Sequence, residues 1–343
     1  MAPARESEYR RPVKSKGKAL TGALLSAVAL TITLWNVRFA DLGQALRAAD
    51  WRWLLPALVS TFALYGLRSV RWAVLMGRAP FGTTYHALNV GYMLNIMLPF
   101  KVGEIARCYA IAKRTEIPMA RALSSVFVER LFDLASVVLL FAVFTKLVPM
   151  PPSFTRAATL GSIAVVGGVL FGVALVVKGD AASRLARPWL ARISEPGADR
   201  WLARFADLCA GFRAIGTARR MFWSVTLGAL VWALTVLLTW FTLRAFVPGA
   251  TITQAGLVVV MANLGGAVPS APGGVGIIQG FATSALVIPF GIDQSNAVAF
   301  AFVWSFGQQL VLIGLGLVGL ARLGLRFSEA RASADAAPAE PVK

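Results

Sequence analysis

Asn95-Ile-Met-Leu-Pro99-Phe-Lys101-Val-Gly103-Glu104-Ile-Ala-Arg107 breaks an apolar helix and places charge beside the break. Pro99 lacks the backbone donor that a helix interior needs, and Gly103 tolerates the dihedrals of an abrupt change of direction. Further on, Glu129-Arg130-Leu-Phe-Asp133 sets three charges on little more than one turn of a second apolar helix. Charges in hydrocarbon are costly, so they are paired with one another or line a polar path. Two readings stand at this point: an ion-pair network that locks helices together, and a route for a polar substrate.

The surrounding chain decides the class. Its 343 residues are 57% hydrophobic, with a mean hydropathy of +0.68. Several apolar runs reach the roughly 20 residues that a helix needs to cross a bilayer. The expectation is an all-α polytopic membrane protein with one transmembrane domain, residues 19–325. The formal charge of +18 would suit nucleic acid, but the basic residues flank apolar runs. That placement points to membrane topology and anionic lipid headgroups instead. Cys108 and Cys209 follow no metal or redox spacing, and His86 is the only histidine. Neither a zinc site nor a histidine-based triad is therefore expected, and no cofactor is expected. Residues 1–18 form a basic tail with no small-residue cleavage signal after Leu20–Val37, so that run reads as a retained first helix.

About six full spans are expected, at 19–37, 53–76, 122–147, 157–177, 221–246 and 295–322. Residues 38–52, with Leu42, Leu46, Trp51 and Trp53, read as an interfacial amphipathic segment. Arg68 and Arg71 lie near the end of the second span, where long side chains can snorkel to headgroups; the alternative for either is to face a substrate path. Residues 178–220 mix nine basic and four acidic residues with Trp189, Trp201, Phe205 and Phe212, which suits helices lying on the membrane surface. The segment 326–343 is polar and reads as disordered.

Two further segments are too short to cross. The pieces on either side of Pro99, within 83–114, reach at most about 24 Å at ~1.5 Å per residue, short of a ~30 Å core. They read as a re-entrant hairpin. A second one, 254–290, is broken by Asn263-Leu-Gly-Gly-Ala-Val-Pro269-Ser270-Ala-Pro272-Gly273-Gly274-Val-Gly276. Pro99-Phe-Lys-Val-Gly103 and Pro272-Gly-Gly-Val-Gly276 share their spacing, each following an apolar helix that bears an asparagine. The polar content differs: Lys101, Glu104 and Arg107 in one copy, glycines, Ser270 and Gln279 in the other. With the basic amino terminus placed in the cytoplasm, the hairpins enter from opposite faces and both termini lie inside. Inverted repeats with broken helices mark the binding site of many transporters.

At these motifs the chain resembles a family: the flippase-like transmembrane region of lysylphosphatidylglycerol synthases and its stand-alone relatives. The residues that carry the resemblance are Asn95, Leu98-Pro99, Gly103-Glu104, Arg107, Glu129-Arg130, Asp133 and Pro269 to Gly276. Bifunctional members add a soluble acyltransferase-like domain after this region. The resemblance therefore implies the lipid-translocating part, without the synthase reaction and without enzyme activity. Some stand-alone relatives belong to hopanoid or glycan-lipid loci, so a phospholipid or glycophospholipid, a hopanoid or a polyprenyl-linked lipid is implied.

A headgroup crossing the membrane needs a polar groove while its tails stay in lipid. Helix amino termini at the joints, 103–106 and 274–277, offer backbone donors suited to phosphate. Lys101, Arg107 and Arg130 are the expected contacts of an anionic headgroup, with Glu104, Glu129 and Asp133 holding them in place. Glu129 and Asp133, four apart, share a helix face and can flank a cation from another element. Gly273, Gly274 and Gly276 serve either that path or close helix packing. The functions in view are a lipid translocator, a non-transporting subunit of an envelope-lipid biosynthetic enzyme, and, least supported, a membrane enzyme.

Overall fold

The computed structural model describes residues 15–35, 37–77, 79–98, 102–148, 217–268 and 271–329, with isolated positions between 159 and 202. Among these, all regular structure is helical. In chain order the helices are α1 (Ser15–Leu34), α2 (Phe39–Ala48), α3 (Leu54–Met76), α4 (Phe81–Met97), α5 (Gly103–Arg114), α6 (Met119–Leu147), α7 (Ala218–Phe246), α8 (Ile252–Gly265), α9 (Ile277–Phe290) and α10 (Gln294–Leu323). Short 3-10 turns, Trp51–Trp53 and Pro272–Gly274, precede α3 and α9.

Local chemistry sets the ends. Thr251 Oγ1 accepts from the Gln254 amide while Gln254 Oε1 accepts from the Thr251 amide, closing a capping box at the start of α8. Asp293 caps α10 through the Asn296 amide. Gly77, Gly291 and Gly324 end α3, α9 and α10 with φ of 97°, 62° and 56°, values that cost a side-chain-bearing residue strain.

Four stretches are long and apolar enough to cross a membrane: Trp51–Met76, Arg219–Phe246, Pro272–Phe290 and Gln294–Leu323. Residues 24–34 and 39–48, bent by 78°, would together make a fifth. Among the described residues the count is thus four or five of the expected six, and the span expected at 157–177 lies outside them save for isolated positions. The 29-residue α6 fails on apolarity because Glu129, Arg130 and Asp133 interrupt it. α9 passes only together with the Pro272–Gly274 turn, since its own 14 residues span about 21 Å. Two expected boundaries also move. α1 begins at Ser15, inside the segment read as tail, and Phe327–Glu329 is helical.

Packing follows a regular scheme. α3 lies on α4 as α7 lies on α8, α4 on α5 as α8 on α9, and α5 on α6 as α9 on α10. α3 and α7 pack along each other, and the α4–α10 contact has its counterpart between α8 and α6. Outside this scheme α1 packs on α9, and the interfacial segment α2 packs on α10 and α7, with Leu42 and Leu46 against the core.

Element ends sort onto two sides. At one, the Asp50 amide donates to the Ala245 carbonyl and Gln294 reaches the Thr33 carbonyl, which joins the ends of α1 and α7 to the starts of α3 and α10. At the other, Gly77 lies beside the Arg121 and Arg220 guanidinium groups. On that same side Arg114 donates to the Leu323 carbonyl and Lys113 pairs with Glu329 at 3.0 Å.

Candidate functional site

Three helices deliver charge to one place. α3 brings Arg68 and Arg71, α5 brings Glu104 and Arg107, and α6 brings Glu129, Arg130 and Asp133. Spacings of three and four residues put Arg68 with Arg71, Glu104 with Arg107 and Glu129 with Asp133 on one face of their helices, and Arg130 on the adjacent face of α6. The result is an alternating chain of charges. Asp133 Oδ1 accepts from Arg71 Nη2 at 2.8 Å, and the same nitrogen lies 3.1 Å from Glu129 Oε1. The other oxygen of Glu129 accepts from Arg107 Nη2 at 2.9 Å, and Arg107 meets Glu104 at 2.6 Å. The side chains of Arg71 and Glu129 are wholly buried. The Arg107 guanidinium also sits 4.7 Å from the ring of Trp72, whose indole N–H donates to Ser125.

Two cations flank this chain. Arg130 lies within 3.5–3.7 Å of all three carboxylates, yet its side chain is 43% exposed. Arg68 lies 4.0 Å from Asp133 and donates to the Tyr92 hydroxyl at 3.1 Å. Arg71 corrects the expectation drawn from its position in α3. It does not snorkel to the interface but is the cation held between Glu129 and Asp133. Arg68, 13% exposed, likewise turns inward. Its i, i+3 spacing with Arg71 was visible in the sequence, but distance from a helix end cannot reveal which way the face points.

The joints are built tightly. Asn95 Oδ1 accepts from the Gly103 amide at 2.8 Å, and its Nδ2 lies 3.5 Å from Glu104. A Cβ on Gly103 would overlap the Gly91 carbonyl, so close packing of α4 on α5 requires glycine at both positions. In the second hairpin Gln279 Oε1 accepts from the Gly276 amide at 2.7 Å and its Nε2 donates to Ser305 Oγ at 2.9 Å. Gly273, Gly274 and Gly276 adopt φ of 71°, 68° and 86°, which explains the glycine run after Pro272. The Gly103 and Gly276 amides, expected to serve a phosphate, are thus engaged by Asn95 and Gln279. Gly276 and Gly280 also admit α1 closely, where Ser26 Oγ accepts from the Ala271 amide. Pro99, Lys101, Pro269 and Ser270 lie outside the described residues.

Beside the charged chain opens a cavity of about 870 Å³, within the ~300–1,000 Å³ typical of small-molecule sites. Arg68, Arg130 and Asp133 supply its charged lining. Leu134, Val138 and Phe141 of α6, Trp232 of α7 and Phe281 of α9 supply apolar wall. Asn263, Gly273, Ser305, Gln308 and Gln309 contribute neutral polar groups from the second hairpin and α10. Of the residues expected on a substrate path, Arg130, Asp133, Asn263 and Gly273 line this space. Glu104, Arg107 and Glu129 stand behind it, and Gln279 is an internal cap. Trp232, Gln308 and Gln309 carried no signal in the sequence, being ordinary members of apolar helices.

A helical architecture with several apolar helices long enough to cross a membrane, and a buried ionic chain beside an amphipathic cavity, defines an integral membrane protein. The sequence model of the family described as "Lysylphosphatidylglycerol synthase TM region" matches residues 19–316, and the chain belongs to that family. It is 23% identical over 343 residues to a UPF0104 membrane protein of Methanothermobacter thermautotrophicus, covering 92% of this chain and 98% of that one. It is 25% identical over 307 residues to Glycosyltransferase AglD of Haloferax volcanii, covering 76% of this chain and 47% of that protein. No solved structure matches it.

Proposed function

We propose that this protein binds an anionic phospholipid or glycophospholipid, a hopanoid or a polyprenyl-linked lipid and carries it across the cytoplasmic membrane, between two hairpins of opposite orientation. The observation that carries the reading is the cavity, which puts Arg68 and Arg130 within one space together with an apolar wall. A lipid has the same division of character: a charged headgroup that must be kept from hydrocarbon and chains that need not be. The paired packing of α3–α6 and α7–α10 supports an inverted repeat, as does the grouping of helix ends. On that reading α4–α5 dips in from the side of Gly77 and Leu323, and α8–α9 from the side of Thr33 and Ala245. The basic amino-terminal segment supports assigning the first of these sides to the cytoplasm. Discontinuous helices that meet inside the membrane are the arrangement in which such carriers alternate access.

A second reading is a non-transporting membrane subunit of an envelope-lipid biosynthetic enzyme. The relative named as a glycosyltransferase, of whose length the match spans 47%, favours it. Reconstitution separates the two. The purified chain in liposomes should make a labelled headgroup accessible on both leaflets, at a rate above that of protein-free vesicles. Rates equal to that control, together with a stoichiometric copurifying enzyme, would establish the subunit reading.

A further inference from the structure

We propose that the cavity selects a lipid whose headgroup carries one net negative charge, on a phosphodiester, and whose remainder is uncharged and bears hydroxyls. This rests on the reading that the cavity is the lipid's binding site. Its first ground is a charge count. Arg68, Arg71, Arg107 and Arg130 face Glu104, Glu129 and Asp133, and every one of them is within 4.0 Å of an opposite charge in the group. Four against three leaves one positive charge uncompensated among the described residues. One bound anion neutralises it, and in a low-dielectric setting that complement is strongly favoured.

The donors are also in place. Arg68 Nε, on a side chain that lines the cavity, is buried without a hydrogen-bond partner among the described residues. Arg130 is the member open enough to reach a ligand. A planar guanidinium suits a phosphodiester's two free oxygens.

The second ground is the neutral end of the cavity. Ser305 Oγ accepts from both Gln279 Nε2 at 2.9 Å and Gln309 Nε2 at 3.3 Å, so its own hydrogen is free to donate. The Gln308 amide has no partner among the described residues, and Asn263 lies across the same space. Side-chain amides offer donor and acceptor together; a hydroxyl can answer both, whereas an ammonium, an obligate donor, answers only the carbonyl and leaves the N–H unpaired. Among the described residues the only carboxylate lining the cavity, Asp133, is already bound to Arg71. A headgroup amine therefore finds net positive charge and no free anion.

Calorimetric titration of the full-length protein with dihexanoyl lipids below their micellar concentrations tests both grounds. Phosphatidylglycerol should bind roughly tenfold or more tightly than phosphatidylcholine, and also more tightly than phosphatidylmethanol, which has the same charge and no hydroxyl. Arg130→Gln should erase the first preference and Gln308→Leu the second. Both positions are partly exposed, so circular dichroism should show intact helices. Equal affinity for phosphatidylcholine overturns the charge argument, and equal affinity for phosphatidylmethanol overturns the hydroxyl argument. No binding by any of the three overturns both. The leaflet assay reports separately on transport: selective binding without movement sinks translocation alone, whereas equal transport of phosphatidylglycerol and phosphatidylcholine sinks the selectivity alone.

Discussion

Arg71 Nη2 stands 2.8 Å from Asp133 Oδ1, and the same nitrogen lies 3.1 Å from Glu129 Oε1. One guanidinium nitrogen thus ties α3 to two successive turns of α6, in a place with no exposed Arg71 surface. Removing the cation leaves the carboxylates to Arg107, Arg130 and Arg68. Arg71→Leu should lower stability by about 3–5 kcal/mol, the usual cost of breaking a buried pair on one side. Thermal unfolding in detergent measures this, and an unchanged midpoint would show that the contact is not structural.

Glu129 and Arg130 are neighbours in sequence but should behave oppositely. Glu129 is wholly buried between Arg71 and Arg107, so Glu129→Leu removes the anion they share, leaves four cations against two carboxylates, and should give little folded protein. Arg130, 43% exposed, should tolerate Arg130→Leu at a cost below about 1 kcal/mol, while lipid movement falls. An Arg130→Leu protein that folds and carries lipid at the wild-type rate would remove Arg130 from the path.

Glycines in the first hairpin divide by surroundings. A Cβ on Gly82 would meet nothing within 4 Å, whereas one on Gly91 would lie 2.7 Å from the Gly103 carbonyl oxygen. Gly82→Ala should be neutral or stabilising by up to about 1 kcal/mol. Gly91→Ala should destabilise by about 1–3 kcal/mol, as overpacking does. Equal midpoints for the two variants would contradict the close α4–α5 approach.

Sidedness can be read with single cysteines in a chain carrying Cys108→Ala and Cys209→Ala. Pro248→Cys, beyond the end of α7, should react with an impermeant thiol reagent added outside intact cells. Ser328→Cys, beyond α10, should react only after permeabilisation. Labelling of both from outside would exclude the proposed orientation and, with it, entry of the hairpins from opposite faces.

Access to the cavity gives a final measurement. Ala267→Cys lies on its lining and should react with a small aqueous thiol reagent, and dihexanoyl phosphatidylglycerol should slow that reaction. Gly103 is unsuitable as a reporter because its Cβ would overlap the Gly91 carbonyl. An Ala267→Cys protein inert with and without lipid would mean that no watery route reaches the cavity.

Much of this architecture is legible in the amino-acid sequence alone. Apolar runs, caps and breaks are local properties, and lipid permits few alternatives to helix, so the elements and both interruptions follow from short-range patterns. The need to pair charges in hydrocarbon likewise singles out Glu104, Arg107, Glu129, Arg130 and Asp133. Three features depend on how distant helices rotate and pack. Arg71 could have reached headgroups from where it sits in α3, and only contact with α6 turned it inward. Gln279, expected on a path, folds back onto the Gly276 amide and Ser305. The cavity wall joins Trp232, Phe281 and Gln308 from segments far apart in the chain, and no periodicity within any one helix records which of its faces will meet the others.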